Sequence, residues 1–251
     1  MLRNAVIDTM MNRKSIRKYT DEMPSDEIIH TIVRAGQQAP FAAQMCSVIL
    51  TRDRENIPWG APISFIICVD SFKLEQIMAK RYWTMITNDL FLLLLGMQDA
   101  SLMGENMVIA AESLGLGSCY IGMIPYEAEP LAKKHKLPKR VFPLVQLVMG
   151  YPAEDHPPRP RYPLSFTMFE NEYPAFSKAD IDEAMKVMDD GYLEQDYYRN
   201  LDAQIELKGD REERFTLDNY SWTEHISRKW GQWFRELEPI RRQFEKRGFK
   251  I

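Results

Sequence analysis

Between residues 91 and 122 the chain reads FLLLLGMQDASLMGENMVIAAESLGLGSCYIG, and the other expected elements arrange themselves around this stretch. Ala100, Met103, Met107, Ala111 and Leu114 recur every three or four positions, which predicts a helix with one apolar stripe. Met97, Leu102, Val108, Ile109 and Ala110 fall elsewhere on the same helix, so it is expected to be buried on most sides. Gly115 stands where a helix end calls for a left-handed residue. Ser118, Cys119, Tyr120 and Ile121 then read as a short buried strand ending at Gly122. A glycine at a strand end marks a place where backbone comes close to something else. Taken alone, the stretch is equally compatible with plain core packing.

Residues 2–12 pattern as an amphipathic helix with Leu2, Ala5, Val6 and Met10 on one side. Ser25 is a good N-cap for a second helix that has Asp26 and Glu27 in its first turn and ends near Gln38. Its Ile28, Ile29, Ile32 and Val33 are expected to face inward. Small residues around Pro40 make 39–44 a tight loop, and 47–51 reads as a strand. The run ISFIICVD at 63–70 is nearly all apolar and suits a strand in a sheet covered on both faces. Residues 73–89 are helical or irregular, 126–137 form a short charged helix closed by Pro138, and 141–150 is another apolar strand. Helix and strand thus alternate over the first 150 residues, as in a sheet between helical layers, with strand direction left open. After a proline-rich turn region at 151–163 the chain becomes more polar. It is expected to form a helix at 178–190, a mobile charge-rich loop at 199–219 and a final amphipathic helix at 222–247 with Trp222, Ile226, Trp230, Trp233 and Phe234.

Length and composition narrow the class. A chain of 251 residues with 45% hydrophobic and 27% charged residues suits one large globular domain or two small ones. A net charge of −4 gives no reason to propose nucleic acid or an anionic membrane as partner. Cys46, Cys68 and Cys119 are odd in number and form no CxxC, so they read as buried thiols in a reducing compartment. His30, His135, His156 and His225 show no metal-ligand spacing, and no metal site is expected. The apolar run from Leu90 to Met97 is far short of a membrane span, and the charged N-terminus has no signal-peptide core. A soluble, cytoplasmic protein is expected.

Two segments carry candidate chemistry. In Arg13-Lys14-Ser15-Ile16-Arg17-Lys18, guanidinium forks and a serine hydroxyl together match phosphate oxygens, although a solvated surface patch has the same composition. Aromatic interleaving, which a nucleic-acid surface would use, is missing from it. In Arg159-Pro160-Arg161, an extended backbone would point both guanidinium groups to one side.

Three separated pieces then point one way. RKSIRKY (13–19), AAESLGLGSCYIG (110–122) and LVMGYPAEDHPPRPRYP (147–163), in this order and spacing, resemble the FMN-dependent nitroreductase superfamily. They look most like its larger branch, the oxygen-insensitive type A nitroreductases and NADPH–flavin oxidoreductases. FTMFENEY (166–173) and SWTEHI (221–226) are similar to that branch too. The resemblance implies an α+β nitroreductase-like fold, with a central, mainly antiparallel sheet surrounded by helices, in an intertwined homodimer. FMN would sit at the subunit interface. The chain would be one domain over 1–251, with 164–251 as a C-terminal excursion wrapping the dimer. A partner would also explain a central helix apolar on nearly every face.

By the same resemblance, Arg13, Lys14 and Ser15 would bind the FMN phosphate and neighbouring groups, and Arg17 would reach the pyrimidine edge of the flavin. Arg159 stands where that branch has a lysine and Arg161 where it has an arginine, and both would reach the phosphate region. Tyr120, Ile121 and Gly122 would line a flavin face and edge, with the Gly122 amide donating near N5 or O4. The 39–47 loop would approach from the other subunit. Relatives carry Ser or Thr and then Asn there, where this chain has Phe41 and Gln44, so Gln44 is the side-chain candidate. A flavin-contacting glutamine of that branch falls in a shortened 54–56 region, where Asn56 is the replacement. Arginines that read the NADPH 2′-phosphate in that branch have no counterparts at matching spacing among Arg199, Lys208, Arg211 and Arg214, which leaves NADPH against NADH open.

The expected function is an FMN-dependent NAD(P)H oxidoreductase of nitroreductase or flavin reductase type, passing hydride through flavin N5 by a ping-pong mechanism. Its acceptors would be nitroaromatics, quinones or free flavin. The protein supplies position and electrostatics, so no side-chain catalyst is expected. The alternative of another class is a non-catalytic FMN-binding redox sensor or storage protein, kept open by the altered 199–215 region. A purely structural protein is the remaining possibility.

Overall fold

The computed structural model describes residues 2–251, with Met1 outside the described residues. In chain order the elements are α1 (Ala5–Asn12), α2 (Asp26–Gln37), β1 (Cys46–Thr51), β2 (Ile63–Asp70), α3 (Phe72–Lys80), α4 (Asp89–Ser113), β3 (Gly117–Ile121), α5 (Ala128–Lys134), β4 (Val141–Gly150), α6 (Lys178–Glu194), α7 (Tyr197–Leu201), α8 (Trp222–Gln232) and α9 (Glu238–Lys246). They form two compact units: the described residues up to His156 together with Glu236–Ile251, and Pro157–Arg235.

The first unit holds an antiparallel four-stranded sheet of order β1-β2-β4-β3. Every residue of β2 is buried, because this strand lies between β1 and β4 and both of its faces are covered. Ile63, Phe65 and Ile67 pack with Met103, Met107 and Ala111 of α4 and with Ile29 and Ile32 of α2. On the opposite face, Ile66 and Cys68 pack with Val141, Phe72 and Leu131. The apolar run at 63–70 therefore read the covering correctly. Direction could not be read from it, since a strand buried on both faces has the same pattern in either orientation.

Helix starts follow their caps. The Ser25 side chain accepts from the Ile28 amide, and α2 begins at the next residue as expected. Asn88 accepts from the Phe91 amide, so α4 starts at Asp89, ahead of the apolar run. At the far end Gly115 has φ +83, the conformation that glycine adopts without a Cβ clash. One stripe of α4 is buried, whereas Phe91, Leu94 and Leu102 are 50%, 51% and 43% exposed. Leu2 and, on α1, Val6 and Met10 are exposed as well, and no residue of α1 is buried. Within one chain the central helix is thus covered on fewer sides than its composition predicted.

The segment 222–247 does not form one helix. Pro239 lies in the first turn of α9, where its missing amide costs nothing; inside a longer helix it would clash with the carbonyl four residues back. The chain therefore breaks between α8 and α9. After the break, Phe244 and Phe249 pack on Phe142 of β4, with ring centroids 4.0 and 6.4 Å away. Arg247, 4% exposed, donates to the carbonyls of Val141 and Leu137 at 3.1 and 2.9 Å.

In the second unit, α6 opens with a reciprocal capping box between Ser177 and Asp180. The 199–219 region is irregular after α7 but anchored rather than loose. Arg228 of α8 is 2% exposed. It donates to both Glu213 oxygens at 2.7 Å, to the Ile205 carbonyl at 2.7 Å and to Glu224 at 2.7 Å. Its guanidinium also lies 5.0 Å from the centre of the Tyr220 ring. The paired Arg228 holds the Glu213 carboxyl down at about 2. High charge density marked this region as mobile; its ion pairs with a buried arginine, invisible to composition, tie it down instead.

Candidate functional site

The basic run leaves α1 in extended conformation and runs beside the end of the sheet. Ser15 bridges to Ser118 of β3, with the Ile16 amide donating to the Ser118 carbonyl at 2.9 Å. Further on, the Thr20 amide donates to the Tyr151 carbonyl at 2.9 Å. Glu154 accepts from the backbone amides of Arg17 and Lys18 at 2.6 and 3.2 Å. Lys14 pairs with Asp155, and a ring nitrogen of His156 lies 3.1 Å from the Ser15 carbonyl oxygen. Ile16 and Tyr19 face the core, with Ile57, Ala61, Cys119 and Val148. Ile16 points into that core, so its neighbours Ser15 and Arg17 point away from it, and Arg17 is exposed.

Arg13 Nε is buried and has no hydrogen-bond partner among the described residues. Such an unmet donor costs about 1–3 kcal/mol, more when the group is charged. Beside it on α4 stands Glu112, which accepts from the Ser118 hydroxyl at 3.3 Å. Burial pushes the Glu112 carboxyl up to about 7, against the opposing pull of Arg13, the Ser118 hydrogen bond and Lys14.

β3 leads from this cluster to the other candidates. Gly122 lies four positions beyond Ser118, about 13 Å along the strand. Tyr120 packs toward α4, where its hydroxyl lies 2.7 Å from the position a Cβ on Gly104 would take. Ile121 packs on the opposite face, with the Ile16 cluster. A flat ring at this strand end would therefore meet the side chain of at most one of the two. A Cβ added at Gly122 would meet nothing within 4 Å, and φ there is not left-handed. Neither packing nor backbone conformation within the chain requires glycine at this position.

The 39–45 loop is held from below by Asp99 of α4, which is 2% exposed. Its carboxylate accepts from the amides of Ala42, Ala43 and Met45 at 2.6, 3.1 and 2.9 Å. Gln44, inside this cradle, is exposed and has φ +51. Thirteen residues of α4 separate Asp99 from Glu112, about 20 Å of helix. Within one chain Gln44 is thus remote from the Arg13 cluster.

Asn56 is exposed and donates to Asp53 at 2.8 Å. Its neighbour Arg54 ties the 54–60 turn down, donating to the carbonyls of Gly60 and Thr20 at 2.7 and 3.2 Å. The turn presents Trp59, whose ring centre is 5.5 Å from the Arg17 guanidinium.

In the second unit, Arg159 donates to Gln195 at 2.5 Å, and its guanidinium lies 4.1 Å from the centre of the Tyr197 ring. Arg161 is exposed and donates to the carbonyls of Arg159 and Pro160 at 2.9 and 3.0 Å. The two arginines of the Arg-Pro-Arg segment are therefore engaged in different ways.

The model of the nitroreductase family matches residues 10–57 and 54–151, which include the basic run, the Asp99 cradle, β3 and Gly122. The chain belongs to the nitroreductase family. An FMN reductase (NADPH) from Bacillus subtilis is 31% identical over 229 residues, 85% of this chain and 89% of that one. An oxygen-insensitive NADPH nitroreductase from Salmonella typhimurium is 30% identical over 88% of this chain and 89% of its own. The solved structure of NfrA2 from B. megaterium superposes with a TM-score of 0.83 at 28% identity, covering 99% of both chains. This member of the nitroreductase family is thus an oxidoreductase with the α+β fold that the sequence implied.

In this nitroreductase the residues present fit a phosphate-bearing flavin. The orphaned Arg13 donor lacks an acceptor such as a phosphate oxygen, and the unexplained glycine lies one strand length away beside open space. Sequence reasoning missed Glu112, Asp99, Glu154 and Trp59. Glu112 was visible inside the matched stretch AAESLGLG, and Asp99 was visible as an acid just after the apolar run of α4. The contacts of Glu154 and Trp59 left no sequence signal.

Proposed function

We propose that the chain is an FMN-dependent NAD(P)H oxidoreductase of nitroreductase or flavin reductase type. The observation that carries this reading is the buried, unpaired Arg13 donor at the head of a cluster with Lys14 and Ser15, in a chain of this family. FMN, when bound, supplies the centre that takes hydride from NADPH or NADH and passes it to a nitroaromatic, quinone or flavin acceptor in ping-pong order.

The chain's own residues do the rest. Arg13, Lys14 and Ser15 hold the phosphate end, each charge-assisted hydrogen bond contributing about 1.5–3 kcal/mol. Arg17 places positive charge at the pyrimidine edge, where added electron density is then favoured. Gly122 offers its amide without a Cβ in the way, and Tyr120 and Ile121 shape the strand end. Arg159 and Arg161 add to the phosphate contacts, on the resemblance alone. Gly122→Val is expected to leave the melting temperature of the flavin-free protein within about 2 °C of the parent, since the added side chain enters open space. Its FMN affinity is expected to fall at least about tenfold, or 1.4 kcal/mol. Parallel melting and flavin-fluorescence titrations check both parts.

A homodimer completes the reading. Phe91, Leu94 and Leu102 on α4, Val6 and Met10 on α1, and Leu2 before it are the exposed apolar surface a second copy would cover. Gln44, about 20 Å along α4 from Glu112, would then serve the partner's flavin together with its loop. Asn56 is a weaker contributor to the same site, and the 164–251 segment wraps the partner. We place the protein in the cytoplasm; among the described residues no helix is long and apolar enough to cross a membrane.

The test is an anaerobic titration of the purified, flavin-loaded protein with NADPH and NADH. Bleaching of the visible flavin bands is the expected result, and the more effective nucleotide names the donor. Flavin bands that persist in excess of both nucleotides would instead favour the sensor or storage reading. A protein that takes up no FMN would remove the roles given to Arg13, Arg17 and Arg161.

A further inference from the structure

Glu112 stands among the phosphate-binding candidates with a charge of the wrong sign. Its carboxylate accepts from Ser118, the residue that bridges to Ser15, and it lines one cleft with Lys14, Glu154 and Asp155. The groups that face it are Arg13 and Lys14 from the segment after α1, Ser118 from β3, Glu105 from its own helix, and Glu154 and Asp155 from the segment after β4. Arg13 makes no hydrogen bond to it through Nε, since that atom has no partner among the described residues.

We propose that FMN enters this cluster together with a proton on Glu112, so that Glu112 sets the pH range over which the phosphate is held. The inference rests on the FMN reading above. With the cluster empty, Arg13 and Lys14 support the Glu112 carboxylate against its burial. A phosphate dianion engages those two cations and adds like charge beside the half-buried carboxylate. Only the Ser118 hydroxyl is then left to favour the ionised form, so the neutral carboxyl is preferred. The proton comes from solvent. Burial already pushes this carboxyl up to about 7 in the empty cluster, and engaging Arg13 and Lys14 with phosphate raises it further. A group whose pKa rises on binding takes up a proton. Affinity is therefore full below the pKa of the free site and falls as pH rises above it.

The experiment is flavin-fluorescence titration of the flavin-free protein at pH 7.5 and 8.5, with FMN and with riboflavin. Both values lie above the usual range of imidazoles and of the second phosphate ionisation. The parent protein should weaken toward FMN by up to about tenfold over this unit, the limit for one linked proton. Glu112→Gln should stay within about twofold and bind FMN more tightly than the parent at pH 8.5. Riboflavin, which lacks the phosphate, should show no such change. Calorimetry of the parent protein at pH 8 in two buffers of different ionisation enthalpy should report nearly one proton taken up per FMN, a readout independent of how the variant folds. An FMN affinity that is flat with pH and takes up no proton overturns the proposal. So does a pH dependence that persists in a folded Glu112→Gln protein, or one that riboflavin shares. A parent protein that binds no FMN at either pH overturns the FMN reading itself, and this inference with it.

Discussion

Arg13→Ala is expected to cost the protein its flavin while changing the stability of the flavin-free fold little. The side chain carries a buried Nε–H that nothing among the described residues accepts, so in the empty protein it is a burden of about 1–3 kcal/mol. Removing it relieves that burden but also withdraws a cation that supports the half-buried Glu112 carboxylate, so the two effects oppose each other. With FMN present the loss dominates. A guanidinium offers a phosphate two parallel charge-assisted bonds, each contributing about 1.5–3 kcal/mol, so the loss in FMN affinity should be about 100-fold or more. Arg13→Lys keeps the charge but not the fork, and should fall between the two. Melting curves without flavin and fluorescence titrations with it separate the effects. An Arg13→Ala protein that melts much lower when empty, yet binds FMN as the parent does, would show that Arg13 is structural.

Asp99→Ala should be the most damaging single change in the first unit. The carboxylate is 2% exposed and is the acceptor for three backbone amides of one loop. Its removal strands the buried Met45 amide and forces Ala42 and Ala43 to find water, with an expected loss of about 3–5 kcal/mol. At this chain length that corresponds to a fall in melting temperature of about 10 °C. Asp99→Asn retains one acceptor oxygen and should lose less. Amide hydrogen exchange at Ala42, Ala43 and Met45 should accelerate in the Ala variant, because the loop no longer has a carboxylate to close on. A melting point within about 2 °C of the parent would mean that the loop is held by its apolar contacts instead.

Both residues show which parts of the site were legible beforehand. Arg13 was a candidate because several cations around a serine match phosphate chemistry at short range in the chain. Asp99 was not, although an acid just after a long apolar run is a visible anomaly. Its partners lie 54 to 57 residues earlier, and no local pattern points across that separation. Pro239 is the opposite case. The residue that breaks the predicted 222–247 helix was in plain view, and the apolar spacing of the tryptophans outweighed it in the reading. Gln44 had a family position but no geometry, and within the single chain it lies far along α4 from the cluster it was meant to serve.

The one-dimensional pattern settled the strands at 63–70 and 141–150, the cap and inward face of α2, the left-handed helix end at Gly115 and the family itself. Each of these depends on neighbours a few positions apart or on short motifs in order. Strand direction, the anchoring of 199–219 by Arg228 and the return of the C-terminus onto β4 were decided in three dimensions. So was the meeting of Arg13 with Glu112. All of these depend on which buried charges and apolar faces find one another across long stretches of chain. That pairing is set by the desolvation cost of leaving them alone, a quantity that exists only once the chain has closed around them.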